Sequence, residues 1–555
     1  MKKKVLKVDE NQKFDEIIKV GLEKLFKRSP RIAILLGKEE YEKEVESGTA
    51  DHIVENLKWF TKWLDKLKHL DLKKLNFENQ ISLKAMEYYH NINLFMHDAF
   101  PLWKKYPNGL AYFQETSFLL FQRKGPTTSA AESIIAHITH LPKYLEEFQS
   151  RFNNSLIPII WRDLALEQIQ TTPDFLKSLA EAFNKTTNIT VALKNDLLDA
   201  FKQCEMVVQS HIEWIKSLPV ENDEFAWALG SEKFDKLLSL RKLPWDRNTL
   251  IKDATRIFNT SLKKTKELLK EIYPTKTFGE AIEDFFKDDL IPNFEEVLLH
   301  AQNEAIRAKK FIGMHNLATI PQETLDIIET PPFLIPIFAN AGYFDVPYFQ
   351  KEQPGIYIIS PTQMERNSYT MISYTMIHET YPGHHLDFTC NNYFASIIRR
   401  SFMNQTECPI TACETTEGWA LYCEEMMIQQ GFFKAPIKAQ QLNLGMQIQY
   451  AMNVILDIQL QCKQRSIEDA IKMLMNILQL NETVAKAAVL GWTTTPSYPL
   501  SYLVGKLLIY DLRREAEEKM GKKFSLKFFH DTILRSGDLP YFLLKEYFEE
   551  KIKNL

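Results

Sequence analysis

Residues 378–385 read "HETYPGHH" and follow an apolar segment with helix-compatible spacing. The metal-binding pattern H-E-x-x-H, in which two histidines stand one helical turn apart on one zinc ion, begins in the same way. Here, however, the fourth residue after His378 is Pro382, and histidine returns only at His384 and His385. The stretch is therefore a broken motif, a widened motif or a coincidence.

The Pro382–Gly383 pair favours a widened motif. On a straight helix His384 would lie about 9 Å along the axis from His378, whereas two imidazole nitrogens on one tetrahedral zinc lie roughly 3.3 Å apart. Proline removes a backbone donor and glycine adopts dihedral angles that other residues avoid, so we expect a kink or bulge. His384 needs the smaller correction and is the predicted second ligand. His385 would face better on an ideal helix and stays an alternative.

A catalytic zinc usually has three protein ligands and one open position. The candidate third ligand lies in "TACETTEGWALYCEE", residues 411–425. Glu417 is followed by Gly418, whose lack of a side chain would let this helix approach the histidine helix closely. Glu414 lies about one turn earlier and Glu424 about two turns later. Either could be the ligand instead, or an acceptor that holds a ligand histidine.

The charge and hydropathy of the chain exclude several classes of protein. The net charge of −4 indicates neither a nucleic-acid surface nor an anionic-membrane surface. No stretch approaches the roughly 20 apolar residues of a membrane helix. The basic start "MKKKVLKVDENQKF" is not followed by the apolar run of a signal peptide. We therefore expect a cytoplasmic protein that binds neither nucleic acid nor membrane.

The six cysteines form no CxxC pair. Four of them lie between residues 390 and 423, around the candidate site, but their spacings match no zinc-finger pattern. Free buried cysteines are the ordinary state in a reducing compartment. We interpret these residues as packing residues.

Helical patterns dominate the first half of the chain. In "HIVENLKWFTKWLDKLKHL", residues 52–70, apolar residues recur at steps of three and four, as on an amphipathic helix. The low glycine count of 18 also favours many helices and few turns. His137 and His140 lie three apart on one such helix, and we interpret them as ordinary helix residues rather than a metal pair.

The pattern changes near residue 317, where seven prolines follow within 45 residues. Proline excludes long helices and central strands, so short edge strands and turns are predicted before helices resume at 367. We predict a mainly α fold with a helical N-terminal region at 1–316. A catalytic region at 317–555 would contain a small β-sheet edge and a helical C-terminal part.

"HETYPGHHLDF" followed by "EGWALYCEE" resembles the family catalogued as domain of unknown function 885. This is a predicted family of zinc-dependent peptidases with the pattern H-E-x-x-P-G-H-H and a later E-G-W-A-x-Y-x-E. The resemblance is specific from about 330 to 545. In the C-terminal stretch the matching residues are Tyr502, Gly505, Lys506, Phe529, His530, Gly537 and Pro540. Asp387 departs from the expected glutamine, and its carboxylate could hold a ligand histidine.

The resemblance implies a zincin-like, specifically gluzincin-like, site with one Zn²⁺ per chain. E-G-aromatic-A is similar to the segment that carries the glutamate ligand of gluzincin aminopeptidases, which favours Glu417. Glu379 would be the general base that takes a proton from water and passes it to the leaving amine. Gluzincins commonly supply a Tyr or His from a later segment for the tetrahedral intermediate, which makes Tyr502, Tyr498 and His530 candidates.

Substrate binding is less clearly marked. The strand-like "IFANAGYF", residues 337–344, could be an edge to which an extended peptide adds as a further strand, as the resemblance implies. Lys506 or Arg535 could receive a terminal carboxylate, or both could be surface charges.

The leading hypothesis is a zinc-dependent metallopeptidase that hydrolyses short peptides in a cleft walled by helices. A metal-dependent hydrolase of a non-peptide amide or an ester is the alternative enzyme. A non-catalytic helical scaffold with a structural metal is the alternative from another class. Structural zinc sites are usually closed by four ligands and rich in cysteine, and Glu379 would have no purpose in one.

Overall fold

The computed structural model of the chain describes residues 9–153, 155–331, 335, 341–362, 364, 367–399 and 413–555. Helices make up most of these residues, so the predicted mainly α fold is confirmed. The chain forms two compact units. Of the described residues, the N-terminal unit comprises those within 9–222, 347–350 and 396–399, and the C-terminal unit comprises those within 223–346, 351–395 and 413–555.

The boundary between the two compact units lies inside the helical region predicted at 1–316, and the catalytic region predicted at 317–555 stays a prediction. The boundary lies after residue 222. Residues 223–316 are helical like the preceding ones, but their helices pack onto helices of the C-terminal half. Helical periodicity therefore continues across the boundary without a change that a sequence pattern could reveal.

The N-terminal unit is built from helices joined by short connections. Its helices are α1 (Glu10–Arg28), α2 (Pro30–Leu35), α3 (Ala50–Lys68), α4 (Phe77–Ala99), α5 (Ala111–Lys124), α6 (Thr128–Ser150), α7 (Ile159–Ile169), α8 (Thr172–Lys185) and α9 (Val191–Ser217). Strands β1 (Ile157–Pro158) and β2 (Val220–Glu221) pair in parallel. Helix α3 begins after Thr49, whose hydroxyl accepts a hydrogen bond from the His52 amide. Its predicted apolar stripe packs into the core with α1 and α4.

Three histidines of the N-terminal unit are buried as neutral rings. His137 Nε2 lies 2.8 Å from the Glu42 carbonyl oxygen, and His211 Nε2 lies 3.3 Å from that of Pro107. Burial lowers the pKa of His90, His137 and His211 to about 4. An unfolded chain, with an ordinary histidine pKa near 6.5, therefore binds protons at a higher pH than the folded chain does.

We expect the N-terminal unit to lose stability as the pH falls from 7.5 to 5.5. The stabilisation is fully present above about pH 6.5 and is lost as the pH falls toward the folded-state pKa, by about 1 kcal/mol per histidine over this range. Urea unfolding of the full chain at several pH values, with hydrogen exchange of α4, α6 and α9, measures the change. His137→Gln should reduce the pH dependence by about 1 kcal/mol over this range, because one of the titrating groups is removed.

His140→Gln is the matched control, since His140 is exposed on the same helix and its Nδ1 lies 2.8 Å from the Ala136 carbonyl oxygen one turn earlier. It should change the pH dependence much less than His137→Gln does, because burial is the largest cause of the lowered pKa of His137 and the charge of His140 a smaller one. Equal slopes for wild type and His137→Gln would contradict the prediction.

The C-terminal unit contains the candidate site. Its helices are α10 (Ser231–Leu240), α11 (Arg247–Ile272), α12 (Phe278–Lys287), α13 (Phe294–Met314), α14 (Tyr369–Glu379), α15 (His384–Phe394), α16 (Glu414–Gln429), α17 (Pro436–Gln461), α18 (Ile467–Leu478), α19 (Glu482–Thr494), α20 (Ser501–Met520), α21 (Leu526–Leu534) and α22 (Tyr541–Lys553). Helix α11 packs along α17, and α16 packs along α20. Helix α14 packs against α16 and α17, and α15 packs against α16.

A small sheet accompanies the helices of the C-terminal unit, as the proline-rich segment predicts. Strands β3 (Leu325–Glu329), β4 (Ala341–Phe344) and β5 (Gly355–Ile359) have the order β3-β5-β4. The central strand β5 is buried throughout, pairs in parallel with β3 and is antiparallel to β4. Strand β4 is therefore an edge of this sheet.

Two further expectations concern the whole chain. In the ranges that the structure describes, no helix is both long and apolar enough to cross a membrane. The five cysteines in these ranges are all free and buried, as expected of packing residues, and Cys408 lies outside the described residues.

Candidate metal centre

The HETYPGHH stretch forms two helices joined by a wide turn. Helix α14 ends in the first part of the stretch and α15 begins in the second, so the predicted interruption at Pro382 and Gly383 is confirmed. The Gly383 amide donates to the Ile377 carbonyl at 3.1 Å, and the Leu386 amide donates to that of Thr380 at 3.2 Å. Each bond spans six residues, whereas an α-helical bond spans four. The two inserted residues are thus accommodated within one enlarged turn.

Gly383 is required by the close approach of the backbone in this turn. A Cβ atom at this position would lie 1.8 Å from the His378 carbonyl oxygen, inside any allowed contact. With glycine there, the rings of His378 and His384 come together, with centroids 4.8 Å apart and planes nearly perpendicular at 86°. The turn therefore brings the first and the predicted second ligand to one place.

The three predicted metal ligands converge. One ligand atom from each of His378, His384 and Glu417 lies within 4.8 Å of the others. Glu417 Oε2 is 3.4 Å from His384 Nε2 and 3.9 Å from His378 Nε2, close to the roughly 3.3 Å expected for two ligands on one tetrahedral zinc. Among the described residues, neither Glu417 Oε2 nor His384 Nδ1 has a hydrogen-bond partner, although both atoms are buried. The residues fit a metal ion in their spacing and donor types.

Glu424 orients His378. Its Oε1 accepts a hydrogen bond from His378 Nδ1 at 2.7 Å, and its Oε2 accepts one from the Tyr374 hydroxyl at 2.5 Å. His378 Nε2 is thereby left to face Glu417. Burial lowers the pKa of His378, but the hydrogen bond and charge of Glu424, with the charges of Glu379 and Glu417, outweigh burial and raise the pKa to about 9. Metal binding must displace this proton.

His385, the alternative second ligand, is engaged elsewhere. Its Nε2 contacts Glu323 Oε2 at 2.5 Å, and its Nδ1 lies 2.8 Å from the Tyr343 hydroxyl. Burial raises the pKa of Glu323, but the hydrogen bond and charge of His385, with bonds from Lys309 and Tyr381, outweigh burial and lower the pKa to about 2. Both ring nitrogens of His385 are occupied, so the geometry favours His384 as the ligand.

Glu414 and Asp387, the other possible ligands or ligand partners, also have other partners. Glu414 Oε1 is 3.1 Å from Arg241 Nε in a fully buried ion pair. Asp387 accepts from Asn391 at 3.4 Å, and burial together with the adjacent Asp538 raises its pKa well above the usual range. These contacts of Asp387 are with residues other than the ligand histidines, so the geometry does not favour its predicted role, which stays a prediction. Its carboxyl group instead faces the loop that precedes α22.

Gly418 permits a close helix approach, but to a different helix from the one predicted. A Cβ atom on Gly418 would lie 2.2 Å from the Gly505 carbonyl carbon, and one on Gly505 would lie 1.9 Å from the Glu414 carbonyl oxygen. Helices α16 and α20 therefore cross in direct backbone contact, one residue away from Glu417. The prediction that Gly418 admits the histidine helix is corrected accordingly.

Two tyrosines at the start of α20 face the glutamate. The Tyr498 hydroxyl donates to Glu417 Oε1 at 2.7 Å, and the Tyr502 hydroxyl lies 2.9 Å from that of Tyr498. The Tyr502 ring stacks on Tyr450 at 5.2 Å. Burial, with smaller contributions from charges that include Glu379, raises the pKa of Tyr450 and Tyr502 well above the usual range. The catalytic roles predicted for Glu379 and Tyr502 stay predictions.

His530 is not placed to donate to a reacting group. Its Nε2 lies 2.8 Å from the Tyr422 hydroxyl and its Nδ1 lies 2.8 Å from the Leu317 carbonyl oxygen. The ring is 1% exposed, and burial lowers its pKa to about 4. Both ring nitrogens have partners in α16 and in the segment before β3, so this geometry does not favour the predicted catalytic role of His530, which stays a prediction.

The two basic residues considered for substrate binding are paired within the protein. Lys506 is buried and forms an ion pair with Glu425 at 2.7 Å. Arg535 stacks on Phe394 with its guanidinium carbon 4.6 Å from the ring centre, and lies 3.8 Å from Asp531. Lys506 is thus not a surface charge. Neither side chain is poised to receive a terminal carboxylate.

The predicted substrate edge is described only in part. Residues 341–344 form the edge strand β4, and residues 337–340 lie outside the described residues. Tyr343 of this strand contacts His385, next to the second ligand in sequence. The edge therefore lies beside the candidate centre.

Arg241 and Glu323 are functional-site residues that sequence reasoning missed. Each lies far along the chain from its partner, and neither belongs to a recognisable pattern. Tyr374 was detectable in principle, because it precedes His378 by one helical turn on α14 and so shares its face.

Fold and site together describe a mainly α-helical protein in which His378, His384 and Glu417 lie close enough to hold one metal ion. The chain belongs to the family described as "Bacterial protein of unknown function (DUF885)", whose model matches residues 30–547. The resemblance noted from the motifs is thereby confirmed, and it extends over most of the helical N-terminal half. A search of curated proteins finds no match.

Two solved structures share the fold. A protein from Colwellia psychrerythraea described as a putative lipoprotein has a TM-score of 0.83 at 17% identity, covering 99% of this chain and 100% of that chain. A protein from Shewanella oneidensis, described as a putative lipoprotein of unknown function, has a TM-score of 0.74 at 19% identity, covering 96% and 99%. At these identities the similarity concerns the fold alone.

Proposed function

We propose that the chain is a zinc-dependent metallopeptidase that hydrolyses short peptides. The observation that carries this proposal is the convergence of His378, His384 and Glu417 through the enlarged turn, with Glu379 next to the first ligand in sequence. Three ligands with an adjacent carboxylate are typical of catalytic rather than structural zinc. The gluzincin-like organisation is part of the same proposal.

Each residue of the centre would have a separate role in hydrolysis. His378, His384 and Glu417 would hold the metal, which supplies a Lewis acid and a more acidic water. Glu379 would take a proton from the attacking water and deliver it to the leaving amine. Tyr502, whose charge environment includes Glu379, would donate to the oxygen that becomes negative in the tetrahedral intermediate.

Strand β4 supports a peptide as the substrate. It is the edge of a three-stranded sheet, and Tyr343 places it beside His385. An extended peptide could add to such an edge through main-chain hydrogen bonds, which are independent of side-chain identity. A hydrolase of a non-peptide amide or an ester would use the same centre, and a panel of such substrates beside short peptides separates the two activities.

We propose the cytoplasm as the location. The five described cysteines are free and buried, as is usual in a reducing compartment. Two of the structural neighbours are described as putative lipoproteins, which makes the cell envelope the alternative. Fractionation of cells that express the full chain distinguishes the two locations.

The test of the metal centre is zinc stoichiometry, measured by elemental analysis of protein expressed with zinc and never exposed to chelator. We expect about one zinc per chain in the wild type. His378→Ala, His384→Ala and Glu417→Ala should each lose the metal, because the remaining two ligands bind too weakly.

His385→Gln is the matched control, since His385 neighbours a ligand but has both nitrogens occupied. It should retain the metal, with folding checked by circular dichroism. A metal-free wild type would contradict the proposal. Loss of zinc from His385→Gln but not from His384→Ala would show that His385, rather than His384, is the second ligand.

A further inference from the structure

The two oxygens of Glu417 have different environments. Oε1 accepts the hydrogen bond from the Tyr498 hydroxyl at 2.7 Å. Oε2 faces both histidines and has no hydrogen-bond partner in the described part of the chain. A carboxylate anchored through one oxygen presents the other in a fixed direction. The anchor of Glu417 is therefore Tyr498.

The protons in this group can be assigned from chemistry. A carboxylate that binds a metal carries no proton, so the hydrogen between Tyr498 and Glu417 belongs to the tyrosine. A phenol has one O–H group. Because Tyr498 donates its proton to Glu417, its oxygen must accept the bond from Tyr502, which lies 2.9 Å away. The hydrogen bonds thus run from Tyr502 to Tyr498 to Glu417.

Arg241 fixes the position of this chain of hydrogen bonds. Its guanidinium donates to the Ser497 carbonyl, to the Ser501 hydroxyl at 2.9 Å and to Glu414 Oε1 at 3.1 Å. Ser497 and Ser501 flank Tyr498, whereas Glu414 begins the helix that carries the Glu417 ligand. One fully buried arginine therefore joins the tyrosine segment to the glutamate helix.

We propose that Tyr498 is a positioning residue: it holds Glu417 in the orientation that binds the metal and keeps Tyr502 as a releasable donor. The proposal rests on the proposed metal centre and deepens it. A negatively charged oxygen of a reacting substrate is a stronger acceptor than a phenol oxygen. Tyr502 can therefore transfer its hydrogen bond to substrate while Tyr498 stays bound to Glu417. The two neighbouring tyrosines thus have separable tasks, metal affinity for Tyr498 and turnover for Tyr502.

The experiment compares zinc affinity, measured by competition with a chromophoric chelator, in the wild type and in Tyr498→Phe, Tyr502→Phe and the double variant. Tyr498→Phe should weaken zinc binding about 10–100-fold, the usual effect of losing a residue that orients a ligand. Tyr502→Phe should change it by less than about 3-fold, because Tyr502 does not contact the ligand. The double variant should match Tyr498→Phe alone.

Absorption of the cobalt-substituted protein supplies a readout that general destabilisation does not move. Tyr498→Phe should alter the cobalt spectrum, since Glu417 is no longer fixed, while the melting temperature of the metal-free protein stays near that of the wild type. Tyr510→Phe, about two turns beyond Tyr502 on α20, is the matched control and should change neither quantity.

Wild-type zinc affinity and an unchanged cobalt spectrum in Tyr498→Phe would overturn the proposal. Equal weakening by Tyr502→Phe would also overturn it, because the two tyrosines would then act as one packed unit. If the wild type binds no zinc, both this proposal and the proposed metal centre are contradicted. If the wild type binds zinc but hydrolyses no peptide, the peptidase function fails, and the affinities still decide the role of Tyr498.

Discussion

Glu379→Gln should bind zinc as tightly as the wild type and lose about 10²–10⁴-fold in turnover of short peptides, the usual contribution of a general base. The amide introduced by this substitution keeps the size of the side chain but cannot accept a proton from water. Glu379 is the last residue of α14, next to His378, and its charge acts on Tyr450 and Tyr502.

The measurement is mass-spectrometric detection of products from a mixture of short peptides, beside elemental analysis of the same preparations. Glu424→Gln is the contrasting variant. Glu424 accepts from His378 Nδ1 and so orients a ligand, which predicts weaker zinc binding of about 10–100-fold. Full activity of zinc-loaded Glu379→Gln would show that Glu379 is not the general base. Loss of zinc in this variant would show that the residue is a ligand rather than a base.

The residues of the candidate site that were predictable lie in local patterns. Spacing alone indicates that His378 and His384 cannot share a metal on a straight helix, and Pro382–Gly383 indicates where the chain departs from one. The structure realises this departure as two hydrogen bonds that each span six residues. Glu417 and Glu424 lie two helical turns apart on one helix, so their facing the same centre follows from helical periodicity.

What could not be predicted depends on contacts between distant segments. The sequence makes His530 a candidate hydrogen-bond donor to substrate. In the structure its two ring nitrogens contact the Leu317 carbonyl oxygen and the Tyr422 hydroxyl, each more than 100 residues away in sequence. The choice between His384 and His385 similarly depends on Glu323, which comes from the segment before β3. A pattern identifies which side chains can do chemistry, and the tertiary contacts determine which of them are free to do it.

Gly505→Ala should lower the free energy of unfolding of the C-terminal unit by about 3 kcal/mol or more, at the upper end of the usual cost of overpacking. The added Cβ would lie 1.9 Å from the Glu414 carbonyl oxygen, a backbone atom that no side-chain rotation can move away. Helices α16 and α20 would have to separate, and this would pull Tyr498 away from Glu417. We therefore expect weaker zinc binding together with the loss of stability, measured by urea unfolding and chelator competition.

Gly445→Ala and Gly491→Ala are the matched controls for this substitution. Both glycines lie within helices, in α17 and α19, and an added Cβ would meet no atom within 4 Å at either position. Because alanine is the better helix former, these variants should be stabilised by up to about 1 kcal/mol and keep their zinc. If Gly505→Ala behaved like the controls, helices α16 and α20 would be able to separate without loss of stability or zinc binding. The close crossing of these helices would then not be the cause of the alignment between the tyrosine segment and Glu417.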